Sequence, residues 1–333
     1  MHKITISDIA ENTGVSKATV SYILSGKKKF SKEVEEKVFQ SAKELGYLPQ
    51  QNTAQLFKNK MICMCIELER DCLRDDPYYL SMIEGGMECA TRNGYQFLIN
   101  RISVHDTDSR NIFLQNLNSA QGAILCNPRK DHVFENTLQK SETPYVIIGN
   151  SKESNSKYCV DIDIEGVAFQ SASYMLKRGY THIYYMNLPE YQIQSTQRLN
   201  GFRYAYETAG EKWDDSYHDF FDVNMKECYE TMNTLLDSGR KIDGIVTSNE
   251  IQAQGVITAV KEHNIAIPAK IGVLSMGGTI LSTIGSPKIT ILDFNPFKQG
   301  YEAAKLLIDV MERKRLRPFN FILPGELVER EST

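Results

Sequence analysis

Between residues 61 and 290, short apolar runs alternate with amphipathic helical stretches, and this pattern narrows the possible folds more than any other. MICMCIEL (61–68), YQFLINRI (95–102), GAILCNP (122–128) and YVIIGN (145–150) are separated by segments with helical spacing, at 79–94 and around 108–119 among them. The rhythm restarts with a helix at 166–179, HIYYMNL (182–188), a helix at 196–210 and a strand near 217–222. It continues through a helix at 225–239, DGIVTSN (243–249), a helix at 251–264 and IGVLSM (271–276). Near-continuous apolar strands bracketed by helices belong to parallel sheets covered on both faces. Two rounds of the rhythm predict two open-sheet lobes, with a ligand crevice where the strands' carboxyl ends meet between them. ILDFNPFKQGYEAAKLLIDVMERK (291–314) is expected to return to the first lobe as strand and helix, and the final ILPGELVERES to pair back with the second.

Ahead of this region, TISDIAENTGVSKATVSYILS (5–25) has a different period. Ile6, Ile9 and Ala10 recur at helical spacing, with Thr5 or Ser7 placed to cap the first turn. Gly14 allows a tight reversal because it lacks a Cβ. Ser16 then caps a second helix, Lys17 to Ser25, whose Val20, Ile23 and Leu24 face back onto the first. A third helix is predicted from Ser31 to Leu45, capped by Ser31 with Glu35 in its first turn. Its apolar face comprises Val34, Val38, Phe39, Ala42 and Leu45, and it ends at Gly46. Two helices crossing on a glycine turn, backed by a third, form the unit that sets its second helix into the DNA major groove.

Charge agrees with that expectation. Residues 1–60 carry ten Lys against six acidic residues, whereas the rest of the chain carries 28 basic and 36 acidic residues. A basic head on an acidic body suits phosphate attraction at one end, and Lys27, Lys28 and Lys29 cluster just after the second helix. The chain's 333 residues suit two or three domains. No apolar run approaches the roughly 20 residues that span a bilayer, and the N-terminus lacks a signal-peptide core. The seven cysteines (63, 65, 72, 89, 126, 159 and 228) are odd in number and contain no CxxC pair. They predict neither a disulfide framework nor a zinc site, so Cys63 and Cys65 read as filling side chains on an apolar strand. Cytoplasmic localisation is the expectation.

Five segments, in order, resemble the lactose-repressor (LacI/GalR) family of bacterial transcription regulators across essentially the whole chain. They are ITISDIAENTGVSKATVSYILSG, ELGYLP, QRLNGFRYAYETAG, DGIVTSNEIQAQGVITAVKEHNIAIPAKIGVLS and LPGELVERES. The resemblance implies a small all-α helix-turn-helix head joined by a hinge helix to an α/β two-lobed, periplasmic-binding-protein-like domain with two parallel open sheets. The expected bounds are 1–49 for the head, 50–60 for the hinge, 61–160 plus 293–320 for the first lobe, and 161–292 plus 321–333 for the second. It also implies a homodimer on a pseudo-palindromic operator, with first-lobe helices near 79–92 in the dimer contact.

By the same resemblance, Lys17, Ala18 and Tyr22 match base-reading positions, and Ser16, Thr19 and Ser21 join them on the DNA-facing helix. Thr19 and Ser21 are expected at phosphates, as are Lys27 and Lys28, and Leu56 matches the apolar residue that wedges into the minor groove. The chain departs from the commonest pattern at Tyr22, where Arg is usual, and at Ser25, where Asn is usual. Tyrosine cannot make the bidentate guanine contact of arginine, so the operator should differ at that base pair.

For the effector, the resemblance points to Arg198, Asn249, Glu250 and Glu165 in the second lobe. Asp71, Tyr78 and Tyr79 from the loop ERDCLRDDPYY would contribute from the first lobe, with Phe294 and Asn295 on the crossover. That loop resembles the galactoside-responsive subgroup and implies a sugar or glycoside. Against this, Gly277-Gly278 stand where sugar-binding members carry an Asp, so Glu250 or Glu165 substitutes for it or the ligand is not a simple hexose. A purine- or nucleoside-responsive regulator is the alternative within the family, and a solute-binding protein is a further one. The latter would have no use for residues 1–60. No GxSxG, P-loop or paired metal ligands are present, so neither enzyme activity nor a cofactor is expected. Asp161 and Asp163 read as a loop entering the second lobe.

Overall fold

The computed structural model describes residues 4–24, 30–47, 60–67, 77–103, 106–128, 133–149, 156–190, 192–315 and 317–333. The chain divides into two compact units, Met1–Met61 and Ile62–Thr333.

In the head, α1 (Ile6–Thr13), α2 (Lys17–Leu24) and α3 (Lys32–Glu44) enclose a core of Ile9, Ala10, Val20, Ile23, Leu24, Val38 and Ala42. Thr5 caps α1, with the Asp8 carboxylate accepting the Thr5 backbone N–H at 2.6 Å. Gly14 closes the helix at φ 69°, in the left-handed region that favours glycine. Ser16 Oγ accepts the Thr19 N–H to start α2, and Asn12 Nδ2 donates to Ser41 Oγ at 2.8 Å, tying α1 to α3. Glu35 stands in the first turn of α3 as expected, where its carboxylate accepts the Phe30 N–H, but Phe39 is 40% exposed because the buried face is set by Val38, Ser41 and Ala42.

The second unit contains two six-stranded sheets. Its elements, in chain order, are β1 (Met61–Glu67), α4 (Pro77–Arg92), β2 (Gln96–Ile102), α5 (Thr107–Ser119), β3 (Gly122–Cys126), α6 (Val133–Lys140), β4 (Tyr145–Ile148) and β5 (Tyr158–Ile162). Then follow α7 (Ile164–Lys177), β6 (Ile183–Asn187), α8 (Ile193–Ala209), β7 (His218–Phe220), α9 (Met225–Asp237), β8 (Gly244–Thr247), α10 (Glu250–Glu262) and β9 (Gly272–Gly277). The last elements are β10 (Thr290–Asp293), α11 (Pro296–Met311), β11 (Phe319–Leu323) and β12 (Glu326–Val328). The strand orders are β11-β5-β4-β3-β1-β2 and β12-β10-β9-β8-β6-β7. Among the pairings whose register is described, only β10 with β12 is antiparallel.

Strands β1, β3, β6, β8 and β9 are almost wholly buried, as their apolar runs require when helices cover both faces. Cys63 and Cys65 lie in that core with their sulfurs 3.5 Å apart, and burial raises the Cys126 thiol well above its ordinary value. Among the described residues, no group of His, Cys, Asp or Glu is placed to hold a metal ion, and no helix is long and apolar enough to cross a membrane.

The chain crosses between sheets three times: at Asp163, at Phe294–Asn295 and at Pro324–Gly325. Here too the expectations need correcting. Strand β10 stays in the second sheet, paired with β9, and only the helix after it returns to the first lobe. Ile322 and Leu323, expected to pair with the second lobe, end β11 against β5 in the first sheet. Asp161 belongs to β5 itself, and Asp163 caps α7 by accepting the Gly166 N–H.

Helix α11 packs along α4 at a separation set by glycines. A Cβ at Gly300 would collide with the Met82 carbonyl, and one at Gly85 with the Phe297 carbonyl. Overpacking of such a contact costs about 1–3 kcal/mol. Gly300→Ala should therefore lower the urea midpoint by that equivalent with an unchanged m-value. An unchanged midpoint would mean that the helices separate freely.

Candidate functional site

The second-lobe wall of the cleft is built where β6, β8 and β9 end and α8 and α10 begin. Five buried residues of β6 finish in Asn187, whose Oδ1 accepts the Tyr185 hydroxyl and the Leu188 N–H, each at 2.8 Å. Its Nδ2 donates to the Ser195 carbonyl and fixes the start of α8. Tyr185 stacks on Phe202 with ring centres 4.1 Å apart, and its hydroxyl also lies 3.1 Å from Ser248 Oγ. Gln252 Oε1 accepts the Ser248 N–H, so β8 and α10 join the same network.

Arg198 projects from the second turn of α8 into this network and is 4% exposed. Its Nε and Nη1 have no hydrogen-bond partner. Burial lowers its pKa from the ordinary value, and the Tyr185 and Tyr78 hydroxyls oppose that shift. Asn249 caps α10 by accepting the Gln252 N–H at 2.9 Å, while its Nδ2 is also without a partner.

Glu250, the first residue of α10, is only 2% exposed. Its Oε1 accepts the Gly278 N–H at 2.8 Å and the Thr279 N–H at 2.7 Å. Gly277, at φ 154°, lies directly over the carboxylate, and any Cβ there would collide with Glu250 Oε2. Of the expected alternatives, Glu250, Glu165 or a ligand other than a simple hexose, the structure describes Glu250 as engaged by the loop after β9. The side chain occupies the space beneath the loop and is held by backbone N–H groups. Burial raises its pKa, and the Thr279 and Gly278 N–H groups partly offset that.

The first lobe contributes Tyr78 and Tyr79 from the first turn of α4, packed edge to face with ring centres 5.6 Å apart. The Tyr78 hydroxyl donates to Gln299 Oε1 at 2.8 Å, and its ring touches the cores of both lobes. Tyr79 Oη accepts from Asn127 Nδ2 at 3.1 Å, and Asn127 Oδ1 in turn accepts from Gln194 Nε2 of α8 at 3.4 Å. This amide pair bridges the lobes directly.

Arg198, Tyr78 and Tyr79 therefore belong to the inter-lobe region, and Asn249 stands at the end of β8 on the second-lobe wall. Phe294 sits at 3% exposure in the second-lobe core, with its N–H on the Gly277 carbonyl, and Asn295 caps α11. Glu165 is half-buried in the first turn of α7, its carbonyl against Gly201. Asp71 lies outside the described residues. Residues not anticipated from sequence are Asn127, Tyr185, Asn187, Gln194, Ser248, Gln252 and Gln299. A polar amide immediately after a buried parallel strand is the signal that would have found Asn127 and Asn187.

On the head, Val20, Ile23 and Leu24 are buried while Ser16, Lys17, Ala18, Ser21 and Tyr22 are exposed, Tyr22 by 46%; Thr19 is half-buried. One face of α2 thus carries the predicted readers and the opposite face holds the core. Lys27, Lys28 and Leu56 lie outside the described residues.

A three-helix head and a two-lobed cleft in one chain define a ligand-responsive, DNA-binding class of protein, and comparison with known proteins agrees. Residues 5–50 match the model for bacterial regulatory proteins of the lacI family, and residues 172–333 match the periplasmic binding protein-like domain. The HTH-type transcriptional regulator CelR of Thermobifida fusca is 23% identical over 98% of each chain. The HTH-type transcriptional repressor CytR of Escherichia coli (strain K12) is 24% identical over 99% of this chain and 96% of its own. In fold, the lac repressor dimer bound to operator and the anti-inducer ONPF superimposes with a TM-score of 0.81 at 18% identity, covering 99% of both chains. The CelR–cellobiose complex superimposes with a TM-score of 0.76 at 22% identity, covering 99% of this chain and 100% of its own. The head carries the lacI-family match, the whole chain is similar to HTH-type transcriptional regulators, and transcription regulation through DNA binding is its role.

The raised pKa of Glu250 has a sign that can be tested. A carboxyl group with a higher pKa folded than unfolded binds more protons in the native state. Its contribution to stability is therefore greatest below the unfolded value and is lost as pH rises through the folded one. Glu250→Gln, which keeps an acceptor oxygen for the loop N–H groups, should be more stable than the parent at pH 7. The gap should shrink as pH falls towards about 4.5, near the ordinary glutamate value. Parallel pH–stability curves for the two proteins would contradict this.

Proposed function

We propose that the protein is a dimeric repressor of a pseudo-palindromic operator, and that a sugar or glycoside bound between the lobes sets its operator affinity. The observation that carries the effector half is Arg198, a buried guanidinium whose Nε and Nη1 have no partner, close enough to Tyr78 of the other lobe for the two to interact. Buried polar groups are normally satisfied, and unsatisfied ones mark sites kept for a ligand. Aromatic rings beside hydrogen-bond donors suit a sugar ring, and a relative of the same fold is a cellobiose complex. A ligand favouring one arrangement of the lobes shifts operator affinity by linkage.

The dimer half is supported by α4, which exposes Leu80 by 52% and Met87 by 47%, two turns apart on one stripe. Each head reads a half-site, so a two-fold dimer matches a palindromic operator. Cytoplasmic residence follows from this role. Leu56, outside the described residues, is assigned to the minor-groove wedge by resemblance alone.

The test is a thermal-shift screen of sugars, glycosides and nucleobases on the full chain, repeated with Arg198→Ala. A stabilising compound should lose at least about tenfold in affinity, the scale of one charge-assisted hydrogen bond. A hit unaffected by Arg198→Ala would put the ligand elsewhere, and a nucleobase hit would favour the nucleoside alternative. For the head, Tyr22→Arg should retain operator binding but change the preferred base at one position per half-site. Identical operators selected by both forms would remove Tyr22 from base reading.

A further inference from the structure

The amino-terminal ends of the parallel strands of the first sheet form an edge opposite the cleft, and this edge is basic although the chain beyond residue 60 is acidic. Arg92 ends α4, Lys140 ends α6, Lys157 precedes β5, and Arg313, Lys314 and Arg317 follow α11; all six are exposed. The loop after α11 is fixed in place. The Lys314 and Arg315 N–H groups donate to the Asp309 carbonyl at 2.8 and 3.2 Å, and the Arg315 guanidinium lies 4.0 Å from the centre of the Phe319 ring. The Phe319 N–H donates to the Lys157 carbonyl at 2.8 Å, which sets Lys157 beside the start of β11. Of the acids at this edge, Glu88 is paired with Arg92 and Glu312 with Lys314, each at 2.6 Å, and Asp309 and Glu142 remain. Among the described residues, Lys140, Lys157, Arg313 and Arg317 make no ion pair. The stretches 48–59 and 150–155, outside the described residues, lead into β1 and β5; they hold Lys58, Lys152 and Glu153 and add no excess of acid. Helix dipoles account for a cation at the end of a helix, as with Arg92 and Lys140. They do not account for Lys157 before a strand, or for the cations that follow α11, whose own last turn has none. The matching edge of the second sheet mixes signs: Lys212 is followed by Asp214 and Asp215, and Arg240 and Lys241 stand between Asp237 and Asp243.

This edge is also where the chain arrives from the head. Met61 begins β1, Ile62 pairs with Gly122, and a Cβ at Gly122 would collide with the Met311 sulfur at the end of α11. The basic loop therefore starts about one strand spacing from the entry of the chain. Thirteen residues, 48–60, separate the described head from Met61, and they can span at most about 50 Å. A duplex on the head is thus presented to this edge at high effective concentration. We infer that the edge carrying Lys140, Lys157, Arg313 and Arg317 is a second DNA-contacting surface, which takes phosphates of the duplex that the head holds. Cations without carboxylate partners suit phosphate oxygens, and such contacts add affinity and salt dependence without reading sequence. This rests on the head binding DNA and is independent of what the cleft binds.

The experiment uses the full-length protein and a duplex of about 40 base pairs carrying a site recovered by binding-site selection, with affinity followed by fluorescence anisotropy from about 50 to 200 mM KCl. Lys157→Gln, Arg313→Gln and Arg317→Gln together should weaken binding about tenfold or more at the low-salt end. They should make the plot of log K against log [KCl] shallower by about 2–3. The selected sequence should stay the same, because phosphate contacts do not specify bases. Lys212→Gln, Lys241→Gln and Lys270→Gln together remove equal charge from exposed side chains of the second lobe and should leave the slope unchanged. Arg313→Lys with Arg317→Lys should bind as the parent does. If the triple variant of the edge does not fold, Arg313→Gln alone should still lower the slope by about 1. Equal slopes for the two triple variants would overturn the inference, and so would a change in the selected sequence. Failure of the parent protein to enrich any duplex would overturn the DNA-binding head and this surface with it.

Discussion

The two sheets share three chain crossings, and what surrounds the cleft depends on them. One strand in each lobe is followed by an element of the other, at Asp163 and at Phe294–Asn295, and the return at Pro324–Gly325 ends within hydrogen-bonding distance of the first. The Asp163 N–H on the Leu323 carbonyl, at 3.3 Å, ties the first crossing to the third. A few element-terminal residues thus carry any rotation of one lobe against the other, as a hinge requires. The carboxyl ends of both sheets open towards the space the hinge controls. The Asn127–Gln194 contact across that space is a single long hydrogen bond, weak enough for a ligand to replace.

Arg198 illustrates how site and stability oppose each other. A buried guanidinium with unused N–H groups destabilises the ligand-free protein, and natural cores avoid such groups except where function keeps them. Around it the Tyr185–Asn187–Ser248–Gln252 network is fully connected and holds the start of α8 and the end of β8 in place. The network gives rigidity, and the arginine within it keeps an Nε and an Nη1 without a partner.

The parts of the fold legible in the sequence were those with strong local periodicity. The alternating apolar runs located the buried strands of both sheets, and Thr5, Gly14 and Ser16 marked the helix-turn-helix by capping chemistry. What was not legible depended on choices made at a distance. Strand β10 is as apolar as a first-lobe strand would be, and only its pairing with β9 and β12 assigns it to the second sheet. Phe39 has the spacing of a core residue, but Val38 and Ser41 set the angle at which α3 meets α1, leaving Phe39 outside. Asp161 looked like loop because carboxylates are rare in strands, yet β5 is flanked on both sides by paired strands.

The cleft separates the two kinds of information most clearly. Arg198 and Asn249 could be found by motif, since each stands at a helix start next to a strand end. The role of Glu250 could not, because it depends on an absence at residue 277, nearly thirty positions away. With a side chain at 277 the carboxylate would have to shift from its place against the Gly278 and Thr279 N–H groups. With glycine there, the glutamate folds back under the loop and its Oε1 accepts two backbone N–H groups. Gly277 and Glu250 therefore form one packed unit of the wall, legible only when the two positions are read together.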